Sequence, residues 1–222
     1  MLRPPCAPAT VCAPPCADAG PIVSIECTDE LVFSTSFDGT CRLWEWGGKA
    51  VCTLEAHRGH ASGLAVLPTE QKLLTGGDDG LIKLFDYATE TCLCKCEHGG
   101  GEGPNSEYLG PAAVWSVRAL GHVVITGSTN ASLRMWDMRA MDRPVHASNA
   151  HFDAVAGLRM DESKALSASF DSSVKIWDLR KALTPRAVMY APPNTRCTRI
   201  SYDDTRVLTG SLNGTVVSFD LL

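Results

Sequence analysis

The stretch VKIWDL at residues 174–179 is one of five similar stretches along the chain, and their recurrence decides the fold. The other four are CRLWEW (41–46), IKLFDY (82–87), LRMWDM (133–138) and VVSFDL (216–221). Each ends in an aromatic residue, an acid and one further residue. Consecutive aromatic residues are 41, 51, 41 and 42 positions apart: Trp44, Phe85, Trp136, Trp177 and Phe219. A repeat of about 40 residues therefore runs through the chain.

A hairpin signal accompanies each copy of the repeat. Six residues before each aromatic lies an Asp or Asn followed by a small residue, as a tight turn between two strands requires: Asp38, Asp79, Asn130, Asp171 and Asn213. Short runs of Val, Ile, Leu and Thr surround these turns, and the longest interval holds a Gly-rich insertion, GGGEGPNSE (99–107). The pattern predicts an all-β chain made of about five four-stranded units.

With these motifs the chain resembles the WD-repeat β-propeller family over residues 22–222. The resemblance implies that each repeat forms one propeller blade and that a His–Ser/Thr–Asp–Trp tetrad ties the blade together. The fourth repeat has a residue at all four positions: His151, Ser169, Asp171 and Trp177. The second repeat has His57 and Asp79, with Gly77 and Phe85 at the other two positions, and the remaining repeats are expected to lack the histidine.

The number of blades leaves two architectures open. Seven blades, the commonest ring that the resemblance implies, need roughly 300 residues, whereas this chain has sequence for five. The five units form either a closed ring or an incomplete part of a larger one. Residues 1–20, rich in Pro, Ala and Cys, are expected to be a mostly irregular tail, and Thr10–Val11–Cys12–Ala13 could supply a closing strand. Residues 21–222 form the predicted propeller domain.

Composition excludes several classes of protein. Apolar residues make up 45% and charged residues 20%, which is ordinary for a folded domain. The formal net charge of −5 gives no general attraction to nucleic acid. No apolar run is long enough for a membrane span or a signal peptide, so a membrane partner is not expected. Reduced thiols and a cytoplasmic location, extending to the nucleus, are expected.

Two local patterns suggest chemistry, and in each the structural interpretation is favoured. Cys92, Cys94 and Cys96, followed by His98, could ligate zinc, but zinc sites usually use a C-x2-C spacing. Histidine near serine and aspartate could form a nucleophilic triad, yet here they fall in register with the repeat. No nucleotide-binding or hydrolase motif is present, so we expect no catalytic, cofactor-binding or metal-binding residues and a non-enzymatic protein.

Two positions per repeat are expected to reach the face where the inner strands begin. In the family that the chain resembles, this face is the usual surface for binding partner proteins. Its predicted partner-binding residues are Phe37, Trp115, Thr129, Phe170 and Leu212. Four of the five are large and apolar, and arginine occupies neither position in any repeat. The expected ligand is therefore an apolar or aromatic segment of another protein, bound with little salt dependence, and phosphopeptide recognition is disfavoured.

Three functions remain open. The first is a general protein-interaction scaffold. The second is a substrate receptor of a cullin-type ubiquitin ligase, because Arg139 and Arg180 lie in stretches that resemble an adaptor-binding WD-x-Arg box, and the compact hairpins resemble those of F-box/WD receptors. The third is a non-functional fragment of a longer propeller protein, which predicts poor solubility.

Overall fold

The computed structural model describes residues 20–99 and 112–221, and nearly all of its regular structure is β. The exceptions are two 3₁₀ helices of three residues each, Pro68–Glu70 and Leu179–Lys181. Neither of them, nor any other helix in the described ranges, has the length and apolarity to cross a bilayer.

Five antiparallel sheets follow one another along the chain, and within each sheet the strands pair in sequence order. The first contains β1 (Ile22–Cys27), β2 (Leu31–Ser36), β3 (Thr40–Glu45) and β4 (Ala50–Glu55). The second contains β5 (Ala61–Leu67), β6 (Lys72–Gly77), β7 (Leu81–Asp86) and β8 (Thr91–Glu97). The third contains β9 (Val114–Leu120), β10 (Val123–Ser128), β11 (Ser132–Asp137) and β12 (His146–Asn149). The fourth contains β13 (Val155–Met160), β14 (Lys164–Ser169), β15 (Ser173–Asp178) and β16 (Thr184–Tyr190). The fifth has three described strands, β17 (Cys197–Tyr202), β18 (Arg206–Ser211) and β19 (Val216–Asp220). The prediction of an all-β fold built from five repeated sheets is confirmed.

The same side-chain device closes the central hairpin of all five sheets. The Asp or Asn at the turn accepts a hydrogen bond from the backbone N–H two residues later, at 2.9–3.2 Å. The residue between them has a positive φ, which costs a glycine least. Glycine fills that position in three sheets, and Ala131 and Ser172 adopt it in the other two, at φ of 66° and 67°. The periodic Asp and Asn residues therefore act as turn formers.

Apolar side chains fill the space between consecutive sheets. Phe33 and Leu43 of the first sheet pack against Leu64 and Phe85 of the second, and all four are buried. Equivalent clusters lie between the later sheets, so each of the three middle sheets contributes one face to the cluster before it and the other to the cluster after it. This arrangement places the core between blades rather than inside any one of them.

The outer faces of the first and last sheets lack this cover. Ile25 is 64% exposed, whereas Leu64 at the equivalent position of the second sheet is fully buried. Leu208 is 45% exposed, whereas Leu166 at the equivalent position of the fourth sheet is fully buried. Among the described strands none pairs with the free edge of β19, and Thr10–Ala13 lies outside the described residues. Across residues 20–99 and 112–221, the sheets form an open arc, as expected for an incomplete propeller.

Candidate functional site

A continuous hydrogen-bond network in the fourth sheet links β14, β15, the turn between them and the loop that precedes β13. The Trp177 indole N–H donates to Ser167 Oγ at 2.9 Å, and Ser167 Oγ lies 2.7 Å from His151 Nε2. His151 Nδ1 lies 3.0 Å from Asp171 Oδ2. Because an ionised carboxylate can only accept, the N–H of His151 is on Nδ1 and its Nε2 accepts from the serine hydroxyl. Every side-chain nitrogen and oxygen atom in this four-residue network has a hydrogen-bond partner.

The serine of this network is Ser167, and the sequence-based choice of Ser169 was wrong. Both serines lie on the same side of β14, because side chains alternate along a strand. Trp177 pairs with Ala165, so the next residue on that side, Ser167, is its diagonal neighbour, and Ser169 lies one step farther away. Ser169 Oγ instead donates to the Asp153 carbonyl and accepts from the Asp171 amide, which anchors the turn.

The network is structural, although its Ser–His–Asp order matches that of a nucleophilic triad. Ser167 is fully buried and its oxygen already accepts from Trp177, so a substrate cannot reach it. Burial lowers the pKa of His151 despite the neighbouring Asp171 and keeps the ring neutral. Burial alone would raise the pKa of Asp171, but hydrogen bonds from His151, Ser173 and the Phe152 amide outweigh it and hold that pKa well below its usual range.

The second sheet contains the same network without the indole. His57 lies 2.8 Å from both Asp79 Oδ1 and Thr75 Oγ1. Thr75 corresponds to Ser167, so the expectation that Gly77 replaced the hydroxyl was wrong. A Cβ at Gly77 would lie 2.3 Å from the His57 ring, so glycine is what permits the histidine to approach. Phe85 is buried at the indole position but offers no donor.

The third sheet also has a histidine, contrary to the sequence-based expectation. His98 is fully buried, and its ring centroid lies 6.4 Å from that of Trp136, the separation found between His151 and Trp177. Trp136 donates to Thr126, as Trp177 does to Ser167. Asn130 replaces the aspartate, and neither ring nitrogen of His98 makes a hydrogen bond. Residues 99–107 separate this histidine from its repeat, which hid its register in the sequence.

His98 therefore belongs to a tetrad position and not to a metal cluster with the cysteines. On β8, Cys94 Sγ and Cys96 Sγ are 3.1 Å apart, while Cys92 is exposed beyond a bulge in the strand. Cys96 is buried, and burial together with the neighbouring Cys94 raises the pKa of its thiol to about 12. Within the described residues, no group of three or more His, Cys, Asp or Glu side chains could hold a metal ion.

One face of the arc carries the predicted partner-binding residues at equivalent backbone positions. The backbone N–H of Phe37, Thr129, Phe170 and Leu212 donates in each case to a carbonyl just before the inner strand of the same sheet, at 3.0–3.1 Å. Trp115 lies at the start of the inner strand β9. We call the face formed by Phe37, Trp115, Thr129, Phe170 and Leu212 the entry face.

Aromatic rings of the entry face contact neighbouring blades and stay partly exposed. Phe37 stacks on His60 of the second blade, with ring centroids 3.9 Å apart and an interplanar angle of 13°, and remains 42% exposed. The rings of Trp115 and Phe170, from adjacent blades, lie 5.4 Å apart and are half-buried. Leu212 is 64% exposed, and Thr129 is half-buried. The rings bridge adjacent blades instead of folding onto their own.

A groove crosses the entry face between the fourth and fifth blades. It is lined by Phe170, Tyr190, Asp153 and Arg196, with the Arg196 guanidinium 5.5 Å from the centre of the Phe170 ring. Tyr190 is 72% exposed. Beside the groove, Phe152 is 93% exposed, and its amide donates to Asp171 of the tetrad.

Phe152, Tyr190 and Arg196 were missed by the sequence reasoning because they come from strand ends and connecting loops. The repeat period could have located Phe152, since it follows the tetrad His151 directly as Arg58 follows His57.

The two arginines predicted to contact a ligase adaptor lie just after the third strands of adjacent blades, and both are exposed. Arg139 makes a two-pronged ion pair with Asp137, with Nη2–Oδ2 at 2.6 Å and Nε–Oδ1 at 2.9 Å. The Arg180 amide donates to Asp178, and its guanidinium makes no hydrogen bond or ion pair within the described ranges. Arg180 is thus the more available of the two.

Arginines also line the central channel, and none of them was singled out in the sequence as a site residue. Arg118, Arg159 and Arg199 come from the inner strands of the third, fourth and fifth blades and line one cavity. Arg118 pairs with Glu26 of the first blade at 3.0 Å. The signal was present in the sequence: Arg118 and Arg159 are 41 residues apart, which is one repeat.

Comparison with known proteins identifies a family model and solved structures that resemble these repeats. A family model described as WD domain, G-beta repeat matches residues 19–45, 48–86 and 142–178. These segments cover the three turns that carry Asp, whereas the turns outside them carry Asn130 and Asn213. The chain is 89% covered by the WD40 β-propeller domain of Doa1, with a TM-score of 0.74 and 21% identity, and it covers 63% of that chain. The computationally designed Ika8 protein matches with a TM-score of 0.72 and 21% identity, over 90% of this chain and 58% of that one.

Curated relatives are similar at a lower share of their own length. Pre-mRNA-processing factor 19 from Oryza sativa subsp. japonica is 25% identical over 79% of this chain and 33% of its own. A guanine nucleotide-binding protein subunit beta from the same rice is 28% identical, over 70% and 42%. Autophagy-related protein 16 from Arabidopsis thaliana is 25% identical, over 83% and 35%. The chain thus spans less than half the length of each.

Proposed function

We propose that this chain, which has segments matching a WD-repeat family model and the fold of a WD40 β-propeller, is a non-enzymatic protein-interaction scaffold whose entry face binds a segment of another protein. The observation that supports this most is the gathering of exposed or half-exposed aromatic side chains on one face. Phe37, Phe170 and Tyr190 lie there, the last two lining one groove, and the exposed Phe152 lies beside that groove. Exposed aromatic residues clustered around a concavity are typical of interaction hot spots.

The chemistry of the groove favours a partner segment with apolar or aromatic side chains and a polar backbone. Phe170 and Tyr190 offer ring surface, whereas Asp153 and Arg196 offer an acceptor and donors at the edges. Large rings provide contact area at a low cost in conformational entropy. Charged pairs at the solvent-exposed edge are screened by salt, so the rings are expected to supply most of the affinity.

The experiment compares the proteins captured by the full-length chain with those captured by a Phe37→Ala/Phe170→Ala variant. The chain is expressed in cells, purified by affinity and analysed by mass spectrometry, after circular dichroism has shown that each variant folds. A partner held by the entry face should be depleted at least about tenfold from the double variant, since losing two hot-spot side chains costs more than ~1.4 kcal/mol.

Leu120→Ala is the matched control, because Leu120 is 43% exposed at the far end of β9, away from the entry face. It should retain the partner. Equal retention by the double variant, or loss of the partner in moderate salt, would show that another face or charge recognises it.

A narrower candidate is a substrate receptor of a cullin ligase, located in the cytoplasm or nucleus. It is favoured by the equivalent placement of Arg139 and Arg180 on adjacent blades, both exposed. The same mass-spectrometry comparison tests it: Arg139→Ala/Arg180→Ala should lose a cullin and its adaptor while keeping the entry-face partner. Retained cullin in that variant, or no cullin with the unaltered chain, would leave the general scaffold as the function.

A further inference from the structure

Three arginines and one carboxylate meet in the central channel. Arg118 on β9 and Arg159 on β13 occupy equivalent positions of adjacent inner strands, and Arg199 lies two residues earlier on β17, hence on the same side of its strand. All three line a cavity of about 30 Å³. Glu26, at the equivalent position of β1, is the acid that faces them.

Two of the arginines hold neighbouring inner strands together. Arg118 Nη1 donates to the Leu64 carbonyl at 2.8 Å and pairs with Glu26. Arg199 donates to the carbonyls of Ala156, at 3.3 Å, and Val23, at 3.1 Å, so it reaches from the fifth blade to the first. These bonds satisfy carbonyls that inner strands turn toward the channel. Their role is explained by the fold alone.

Arg159 has no such role. It is exposed to the channel, and its guanidinium makes no hydrogen bond or ion pair with the residues that the structure describes. Three guanidinium groups face one carboxylate, which leaves an excess of positive charge at the cavity. Partial burial lowers the pKa of Arg199, and the nearby Arg159 lowers it further, as expected for cations held close together.

We propose that this cavity binds an anionic group that a bound protein partner inserts into the channel, with Arg159 as the principal hydrogen-bond donor. The group is the carboxylate of an acidic residue or the phosphate of a phosphorylated residue. The planar guanidinium suits two-pronged pairing with either group. A cavity of about 30 Å³ has room for one such group. Trp115 of the entry face lines the same cavity, so a segment bound at that face is close enough to deliver the acid. The assignment of the anionic group to a protein partner thus rests on the proposed function, whereas the anion site itself does not.

The anion site is tested on the full-length chain with small probes. Glutarate and inorganic phosphate are titrated at constant ionic strength, with chloride as the reference anion, and the melting temperature and backbone NMR shifts are followed. Both probes should cause saturable changes that chloride does not. Arg159→Gln should weaken the apparent affinity on the order of tenfold, because it removes a charged two-pronged donor.

Arg186→Gln is the matched control, since Arg186 is an exposed arginine on the outer strand β16. It should bind both probes like the unaltered chain. Because Arg159 makes no bonds in the fold, its variant should melt at the same temperature as the unaltered chain when no probe is present. No saturable effect beyond chloride, or an equal effect in Arg159→Gln, would overturn the anion site.

Arg159→Gln is then included in the affinity purification. Loss of the entry-face partner supports delivery of the acid by that partner. If the partner stays bound to Arg159→Gln while the small anions do not, the assignment to the partner is overturned and the site belongs to a free small anion. A chain that responds to the probes but captures no partner would refute the proposed function and leave the anion site standing.

Discussion

Single residues decide how tightly each blade is held, and the tetrads of the second, third and fourth blades show three degrees of completeness. The fourth joins Trp177, Ser167, His151 and Asp171 without a gap. The second lacks the indole. The third keeps histidine, hydroxyl and indole but has Asn130, whose side-chain nitrogen is buried without a partner. A buried polar group without a partner costs free energy, so the blades are expected to differ in stability.

Asp171→Ala should lower the free energy of unfolding by roughly 1–3 kcal/mol, because it leaves the His151 and Phe152 donors without their acceptor. Ser167→Ala should have a similar effect, since it removes the group that joins Trp177 to His151. Chemical denaturation measures both. The control is Asn213→Ala at the exposed turn of the fifth sheet, where water can replace the lost bonds; an equal loss there would contradict the role of the network.

His98 is expected to make the protein sensitive to acid. Burial, with Arg134 nearby, lowers the pKa of His98 to about 3 from its ordinary 6.5. Between these values the unfolded state binds a proton that the folded state does not, so stability falls as pH drops below about 6.5 and continues to fall toward 3. Melting temperatures from pH 7.5 to 4 should therefore fall more steeply for the unaltered chain than for His98→Leu.

At pH 7.5, His98→Leu should be neutral or slightly stabilising, because it replaces two ring nitrogens that have no hydrogen-bond partner with an apolar side chain. His57 also has a lowered pKa, caused first by burial, but its ring is paired with Asp79. The same melting series on His57→Leu should therefore show a large loss at every pH. Parallel pH curves for His98→Leu and the unaltered chain would refute the role of His98.

The five sheets pair their strands in the same way, but they differ in how much of each face is covered by a neighbouring sheet. The middle sheets have a neighbour on both faces, whereas the fifth has one face and one strand edge open in the described structure. Val216 on β19 is 73% exposed, and Leu208 on β18 is 45% exposed. Backbone hydrogen bonds under thin apolar cover open more readily than those in a core.

Amide hydrogen exchange should therefore be faster in β18 and β19 than in β10 and β14. β10 and β14 are mostly buried along their length, with residues such as Ile125 and Leu166 at most 1% exposed. The exchange is followed by mass spectrometry at neutral pH. Equal protection of β14 and β18 would show that the open face of the fifth sheet is covered in solution.

At the scale of the whole molecule, the arc presents two apolar end faces. Ile25 on the first sheet and Leu208 on the fifth occupy positions that are fully buried in the second and fourth sheets, respectively. Exposed apolar faces and free strand edges promote association between chains. The chain is therefore expected to associate in a concentration-dependent way when it is purified.

Replacing Ile25 and Leu208 together by serine should shift the sedimentation profile toward the monomer without lowering the melting temperature by more than ~2–4 °C, since both side chains are largely exposed. Val188→Ser is the matched control, because Val188 is 41% exposed on the outer strand β16. A monomeric unaltered chain at high concentration would show that the end faces do not cause association.

The fold class, the number of sheets and the positions of the hairpin turns follow from the amino-acid sequence alone. These features depend on local pattern: alternating side chains, an Asp or Asn at each turn, and an aromatic residue at a constant distance from it. The sequence also placed Phe37, Phe170 and Leu212 on one face, since residues at equivalent positions of a repeat occupy equivalent places in the fold.

Which atoms are in contact could be read from the tertiary structure but not from the sequence. The structure identified Ser167, and not Ser169, as the serine of the tetrad, because the partner of Trp177 depends on strand register across the hairpin. It showed that His98 packs beside Trp136 of the third blade and not with the cysteines. The insertion after His98 had hidden the position of this histidine in the repeat. The tertiary structure brought Arg118, Arg159 and Arg199 to one cavity from three blades, because contacts between distant repeats depend on how the sheets pack around the channel.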